Sequence, residues 1–237
     1  MDDPKRKILI IALSVCIFFL AVFSISLLFF LKKPVYIPAP QIKITIPEGY
    51  TTKNIAEKFT DFKNFNAENF LKTAKEGYLF PDTYFFDGNE KEADVIEKLT
   101  DNFYQKTGST SPEIIIMASL LEKEAKTEQD RKIISGILWK RLDVGMPLQV
   151  DASLNYINGK TSAEMTQKDL NQDSPYNTYK YKGLPLTPIC NPGLDAISVA
   201  LNPISSPYWY YLSDKNGIIH FAKTFEEHKE NKFKYLR

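Results

Sequence analysis

Residues 8–31, "ILIIALSVCIFFLAVFSISLLFFL", hold no charged side chain. As a helix this run is about 36 Å long, against a hydrocarbon core of roughly 30 Å, so it is long enough to cross a membrane. A cleaved signal peptide is the competing reading. Its apolar region usually runs for about 7 to 15 residues and ends in small side chains, whereas this one ends in Phe-Phe-Leu-Lys-Lys. A retained, single-pass anchor is the expectation. Lys5, Arg6 and Lys7 precede the run and Lys32 and Lys33 follow it, so basic residues orient it weakly. Size orients it better, because everything able to fold comes after it. The N-terminus is expected in the cytoplasm and the remainder outside the cytoplasmic (inner) membrane, in the periplasmic direction.

The residues that follow, "KKPVYIPAP", read as a Pro-rich extended connector. Beyond it, a chain that is 43% hydrophobic and 25% charged can bury a core, and its formal net charge of +1 gives no electrostatic reason to expect a nucleic-acid partner. Cys16 lies in the apolar run and Cys190 far beyond it, so no internal disulfide is expected. "IKITIPEGYTTKNIAEKF" alternates at Ile42, Ile44 and Ile46, turns at Pro47 to Gly49, and starts a short helix after Thr51 or Thr52. Two readings stand for it: a small adhesion-like module, or the first element of one larger domain.

A helix is expected near Lys91 to Tyr104, with Val95, Ile96, Leu99 and Phe103 at helical spacing. Next comes "SPEIIIMASLLEKEAK". Ser111 suits the N-cap, Pro112 the first helical position, and Glu113 the positive end of the helix dipole. The residues from Ile114 to Leu121 are apolar around most of the circumference, which marks a buried helix. Glu122 falls one turn beyond Ala118 and two beyond Ile115, so its carboxylate leaves on an apolar flank; Glu124 leaves on the flank of Leu120 and Met117. A carboxyl withdrawn from water gains proton affinity and suits a general acid. Equally, Glu-Lys-Glu marks where a buried helix emerges into solvent. Periodicity does not choose between the two glutamates.

Further on, a helix is expected from about Asp130 to Leu142, then a Gly-Met-Pro break and a segment carrying Gln149 and Asp151; Asp151 is a candidate second carboxylate for glycosidic chemistry. "DSPYNTYKYKGLP" is a loop that gathers Ser174, Tyr176, Asn177, Thr178 and Tyr179. Such aromatic and amide groups suit a sugar ring and its acetamido groups, and an ordinary Pro-bounded loop is the plainer alternative. "YWYYLSDKNGIIHFAKT" reads as a hairpin turning at Asn216-Gly217. His220 and His228 lack a third ligand nearby in sequence, so neither a metal nor another cofactor is expected.

"EGYLFPDTY", "ASLLEKEA", "KRLDVGMPLQVDASLNY", "SPYNTYKYKGLPLTPICNPG" and "YWYYLSDKNGIIHFAKTFEEH" occur in this order over roughly residues 77–228. In that order they resemble the YceG-like family of peptidoglycan lytic transglycosylases. The resemblance implies an α+β fold: a head at 1–7, a transmembrane helix at 8–31, a linker at 32–40, a small LysM-like subdomain at 41–76 and a mixed α/β catalytic domain at 77–237. It implies endolytic cleavage between N-acetylmuramic acid and N-acetylglucosamine, leaving 1,6-anhydro ends and terminating nascent strands. Its partners would be glycan strands, the membrane and peptidoglycan synthases. It assigns the catalytic acid to Glu122, with Glu124, Gln149, Asp151, Ser174, Tyr176, Asn177, Thr178, Tyr179, Asn191 and His220 around the glycan groove. Two departures are visible: a short stretch before "EGYLFPDTY", and Leu186 where the family commonly has proline. Two rivals remain, a glycan-binding scaffold without catalysis and a hydrolase pairing Glu122 with Asp151.

Overall fold

The structure is a computed structural model that describes residues 4–31, 41–125 and 127–236, with side chains throughout except at 4–10, 28–31 and 163. The linker expected at 32–40 and the first three residues of the head lie outside the described residues. Residues 1–40 and 41–237 form two separate compact units.

In the first unit, α1 (Pro4–Leu31) is a single helix of 28 residues. Proline suits its first position, where the missing N–H is lost anyway. Ser24 returns its hydroxyl to Leu20 O at 2.8 Å, which keeps a polar group satisfied inside an apolar run. Among the described residues, no helix is long and apolar enough to cross a membrane. The side chains described within α1 are those of residues 11–27, about 26 Å of helix against a core of roughly 30 Å. The transmembrane expectation for 8–31 therefore rests on the sequence and not on the structure.

The second unit opens with a small β-α-α-β layer. Strand β1 (Ile42–Thr45) pairs antiparallel with β2 (Thr83–Phe86), Ile44 opposite Tyr84. Between them lie α2 (Thr52–Glu57) and α3 (Ala67–Thr73). Thr51 and Asn54 close a reciprocal cap at the start of α2. Ile46, Ile55, Phe59, Phe70, Tyr84 and Phe86 form the core of this layer, joined by Val95 and Leu99 from α4 (Glu92–Thr107). Of the expected alternation only Ile46, just past the end of β1, is fully buried, at 1% exposed, while Ile44 is half-buried and Ile42 exposed. The strand that closes the layer lies beyond residue 76, so a boundary at 76/77 falls within one core rather than between two.

The larger layer is helical. Here α5 (Pro112–Glu124) is central, with Ile115, Met117, Ala118, Leu120 and Leu121 buried. Ser111 is its N-cap, yet no side-chain bond forms there; its carbonyl instead accepts from Ile114 N and Ile115 N. Around it stand α6 (Glu128–Asp143), α7 (Asp151–Asn158), a 3-10 turn at Ser162–Glu164, α8 (Gln167–Leu170) and α9 (Leu194–Leu201). Phe103 of α4 enters this second core one turn beyond Leu99, so α4 spans both layers. A small residue lets α6 meet the chain after α9: a Cβ on Gly136 would stand 1.9 Å from Ile204 O.

The chain ends in a hairpin, β3 (Tyr210–Ser213) with β4 (Ile219–Ala222), followed by α10 (Phe225–Tyr235). The hairpin does not turn on two residues. Asp214 O accepts from Gly217 N, while its carboxylate accepts from Asn216 N and Ile218 N, so the loop runs from 214 to 218 with Asn216-Gly217 inside it.

Candidate active site

The end of α5 is met by the segment that leads into α9. Ile189 N donates to Ser119 Oγ at 3.0 Å, and the Cys190 thiol donates to Ser119 O. One helical turn later Gly193 N donates to Glu122 Oε2 at 3.0 Å. The other carboxylate oxygen of Glu122 lies 3.8 Å from Arg131 Nη1, and both side chains are 10% exposed. Arg131 Nε and Nη1 are buried without a hydrogen-bond acceptor. Glu48, in the turn after β1, covers Gly193 so closely that a Cβ there would stand 1.9 Å from Glu48 Oε1. Beside this turn a polar cleft of ≈ 390 Å³ is lined by Glu48, Tyr50, Asn54, Glu57, Lys58 and Lys123.

Glu124 leaves the same helix end toward different neighbours. Tyr211 donates its hydroxyl to Glu124 Oε2 at 2.9 Å, and Asp151 faces the same carboxyl. Although the residue as a whole is half-buried, its carboxyl is enclosed, and that burial pushes its pKa up to about 7, with the charge of Asp151 adding to the rise and the Tyr211 bond opposing it. Tyr179 donates in turn to Asp151 Oδ1. Burial raises both phenols; Asp151 and Glu124 raise Tyr179 further, and Glu124 raises Tyr211. Arg141, 3% exposed, spends its donors on Trp209 O and Leu148 O and so ties the hairpin to the segment before α7.

Gln149 sits in that segment with φ 55, the only described non-glycine residue at positive φ. Left-handed backbone costs a residue with a Cβ of order 1 kcal/mol and concentrates at functional positions. Here it turns an exposed Gln149 outward between buried Leu148 and Val150, beside Asp151. The structure thus gathers Glu124, Gln149, Asp151 and Tyr179 in one neighbourhood. It groups Asp151 with Glu124, not with Glu122 as the hydrolase alternative requires.

Three of the expected groove residues are committed inside the chain. Asn191 is fully buried: its Oδ1 accepts from Leu79 N, and its Nδ2 donates to Tyr50 O and Glu76 Oε1, each at 2.9 Å. Its backbone exchanges hydrogen bonds with the Gly49–Tyr50 turn, so Asn191 ties the small layer to α9. Asn177 gives its amide to Leu170 O and Gln172 O and accepts from Tyr179 N and Lys180 N. Thr178 Oγ1 accepts from Val150 N and meets Ser153 Oγ. In all three the side-chain polar atoms have partners inside the protein, where they support the loops. Ser174 accepts from Tyr176 N, and Tyr176 shares a hydrogen bond with Thr187 and packs on Tyr156. His220 is bonded to Asp214 at 3.0 Å and stacked on Tyr235.

Glu48, Arg131, Gly193 and Tyr211 were not singled out by sequence. Only Tyr211 left a trace, since alternation along β3 turns it to the opposite face from its neighbours.

The sequence profile of the YceG-like family matches residues 26–234. A curated protein of Bacillus subtilis named endolytic murein transglycosylase is 39% identical over 177 residues, covering 70% of this chain and 49% of that protein. One of Streptococcus pneumoniae with the same name is 34% identical over 243 residues, covering 79% and 43%. The chain therefore spans about half the length of the curated relatives it matches. A crystal structure of a yceG-like protein from Listeria monocytogenes superposes with a TM-score of 0.72 at 33% identity, covering 81% of this chain and 76% of that one.

Proposed function

The chain belongs to the YceG-like family, and on that premise we propose that it is an endolytic peptidoglycan lytic transglycosylase with Glu122 as its acid and base. The observation that carries this reading is the placement of Glu122: a carboxyl at a buried helix end, aimed by a backbone amide and kept 10% exposed. Glu122 protonates the oxygen between N-acetylmuramic acid and N-acetylglucosamine, and the muramic C6 hydroxyl attacks its own anomeric carbon as the same carboxylate takes its proton. An intramolecular nucleophile has a high effective molarity, so one carboxyl serves where a hydrolase normally needs two.

A second reading is favoured by one observation. Glu124 is the carboxyl at this helix end whose pKa is pushed up to about 7, which places its proton where a donor at neutral pH needs it. On this reading Glu124 gives the proton and Glu122 orients the sugar.

Within the proposal, residues 8–31 anchor the chain in the cytoplasmic membrane with 32–237 outside, the β-α-α-β layer acts as a LysM-like hold on glycan, and cleavage ends nascent strands beside the synthases. An alkaline phosphatase fused after Arg237 tests the orientation. Digestion of peptidoglycan by the full chain in detergent, followed by mass spectrometry, tests the chemistry: anhydro ends are expected, reducing ends indicate a hydrolase, and no cleavage indicates a scaffold.

A further inference from the structure

We propose that Glu48 and Glu122 form one working carboxyl pair, so that the small β-α-α-β layer supplies part of the reacting site as well as a surface for glycan. The bearing of this pair on cleavage rests on the transglycosylase reading above.

The geometry begins at Gly193. Its amide holds Glu122 Oε2, while its α-carbon face is covered by the Glu48 carboxylate, where a Cβ would meet Glu48 Oε1 at 1.9 Å and Cδ at 2.2 Å. A single glycine without a side chain therefore brings the two carboxyls to one place. The turn bearing Glu48 is fixed on both sides, Gly49 N donating to Asn191 O and Asn191 N to Tyr50 O, each at 2.9 Å. Asn191 stands two residues before Gly193, so the segment that aims Glu122 also seats Glu48. Glu48 lines the polar cleft of ≈ 390 Å³, as does Lys123, the residue after Glu122, which gives a saccharide a way to approach.

A second observation comes from α6. Arg131 is 8% exposed and points Nη1 toward Glu122, yet its Nε and Nη1 have no acceptor. A buried guanidinium with unused donors beside two carboxyls leaves hydrogen-bonding capacity for an incoming oxygen.

The charged groups facing Glu48 are Glu122 and Lys123 from α5, Arg131 from α6, Asp195 from α9, and Glu57 and Lys58 from α2 across the cleft. Burial raises the pKa of Glu48 most, the charges of Glu122 and Asp195 raise it further, and Arg131 opposes them. The charge of Glu122 beside Glu48 thus disfavours ionisation of Glu48.

Carbon-detected NMR titration of the side-chain carboxyls, on the full chain in detergent, tests the pairing with or without activity. Glu48→Gln and Glu122→Gln assign the two signals. Glu122→Gln is expected to lower the midpoint of Glu48, because it removes the charge that raises it. A Glu48 midpoint that ignores Glu122→Gln overturns the pairing. Where the unaltered chain produces anhydro ends, Glu48→Gln should also change the shape of its turnover profile against pH, because the limb that Glu48 contributes is lost. A merely structural role would instead lower turnover equally at every pH. An unchanged shape overturns the catalytic part of the proposal, whereas a lack of anhydro product from the unaltered chain overturns the transglycosylase reading and leaves the titration to decide the pairing.

Discussion

Gly193 donates its amide to Glu122 Oε2 at 3.0 Å although 71 positions separate them in sequence. The carboxyl at the end of α5 is therefore aimed by the segment that opens α9, and that segment is held by Asn191.

Replacing Asn191 by Ala should destabilise the fold rather than merely weaken substrate binding. The amide serves Leu79 N, Tyr50 O and Glu76, and its loss leaves buried groups unpaired at about 1–3 kcal/mol each before relaxation. Thermal unfolding should show a fall of several degrees in Tm. An unchanged Tm with a raised KM would return Asn191 to the glycan groove.

Gly136→Ala should also destabilise, by about 1–3 kcal/mol, because the new Cβ would stand 1.9 Å from Ile204 O. A carbonyl in the main chain cannot swing aside as a side-chain tip can. Chemical denaturation measures the loss, and a variant as stable as the parent would mean that α6 and the segment after α9 separate freely.

Gln149→Gly should leave stability equal or raise it by up to about 1 kcal/mol, because glycine accepts positive φ without strain. Turnover should fall if the outward side chain touches substrate. Equal turnover at equal or greater stability would make the strained turn a matter of backbone alone.

For Glu124 the sign of the pH effect follows from its raised pKa. Between its ordinary value of 4.5 and about 7, the folded state holds a proton that the unfolded state has released, so stability falls as pH rises through this window. Glu124→Gln should remove that slope and make the protein about 1–3 kcal/mol more stable than the parent above pH 7. Melting curves across the window decide it, and parallel profiles for the two proteins would show that the carboxyl is not enclosed.

Much of the helical layer was legible because its signals are local. The all-round apolar run after Pro112 gave α5, and spacing at Val95, Leu99 and Phe103 gave α4. Strand β2 was missed although its burial alternates, Tyr84 and Phe86 inward and Phe85 outward: a four-residue strand behind Pro81-Asp82 reads as a turn. The site was legible in its residue types but not in their roles. Asn191 looks like a ligand in a Pro-bounded loop, and its burial depends on Tyr50 and Leu79, which lie 141 and 112 positions away. The same distance hid Glu48, whose carboxyl reaches α9 through a turn that sequence shows only as Pro-Glu-Gly.

The most direct measurement compares Glu122→Gln with Glu124→Gln in the full chain, each digest being read by mass spectrometry for anhydro ends. Glutamine keeps the shape but has no acidic proton, and loss of a general acid typically costs about 10² to 10⁴ in rate. The account predicts that Glu122→Gln stays folded and loses turnover on that scale, while Glu124→Gln keeps more activity and Asp151→Asn more still. Full activity in Glu122→Gln, or products one water heavier with reducing ends, would contradict it.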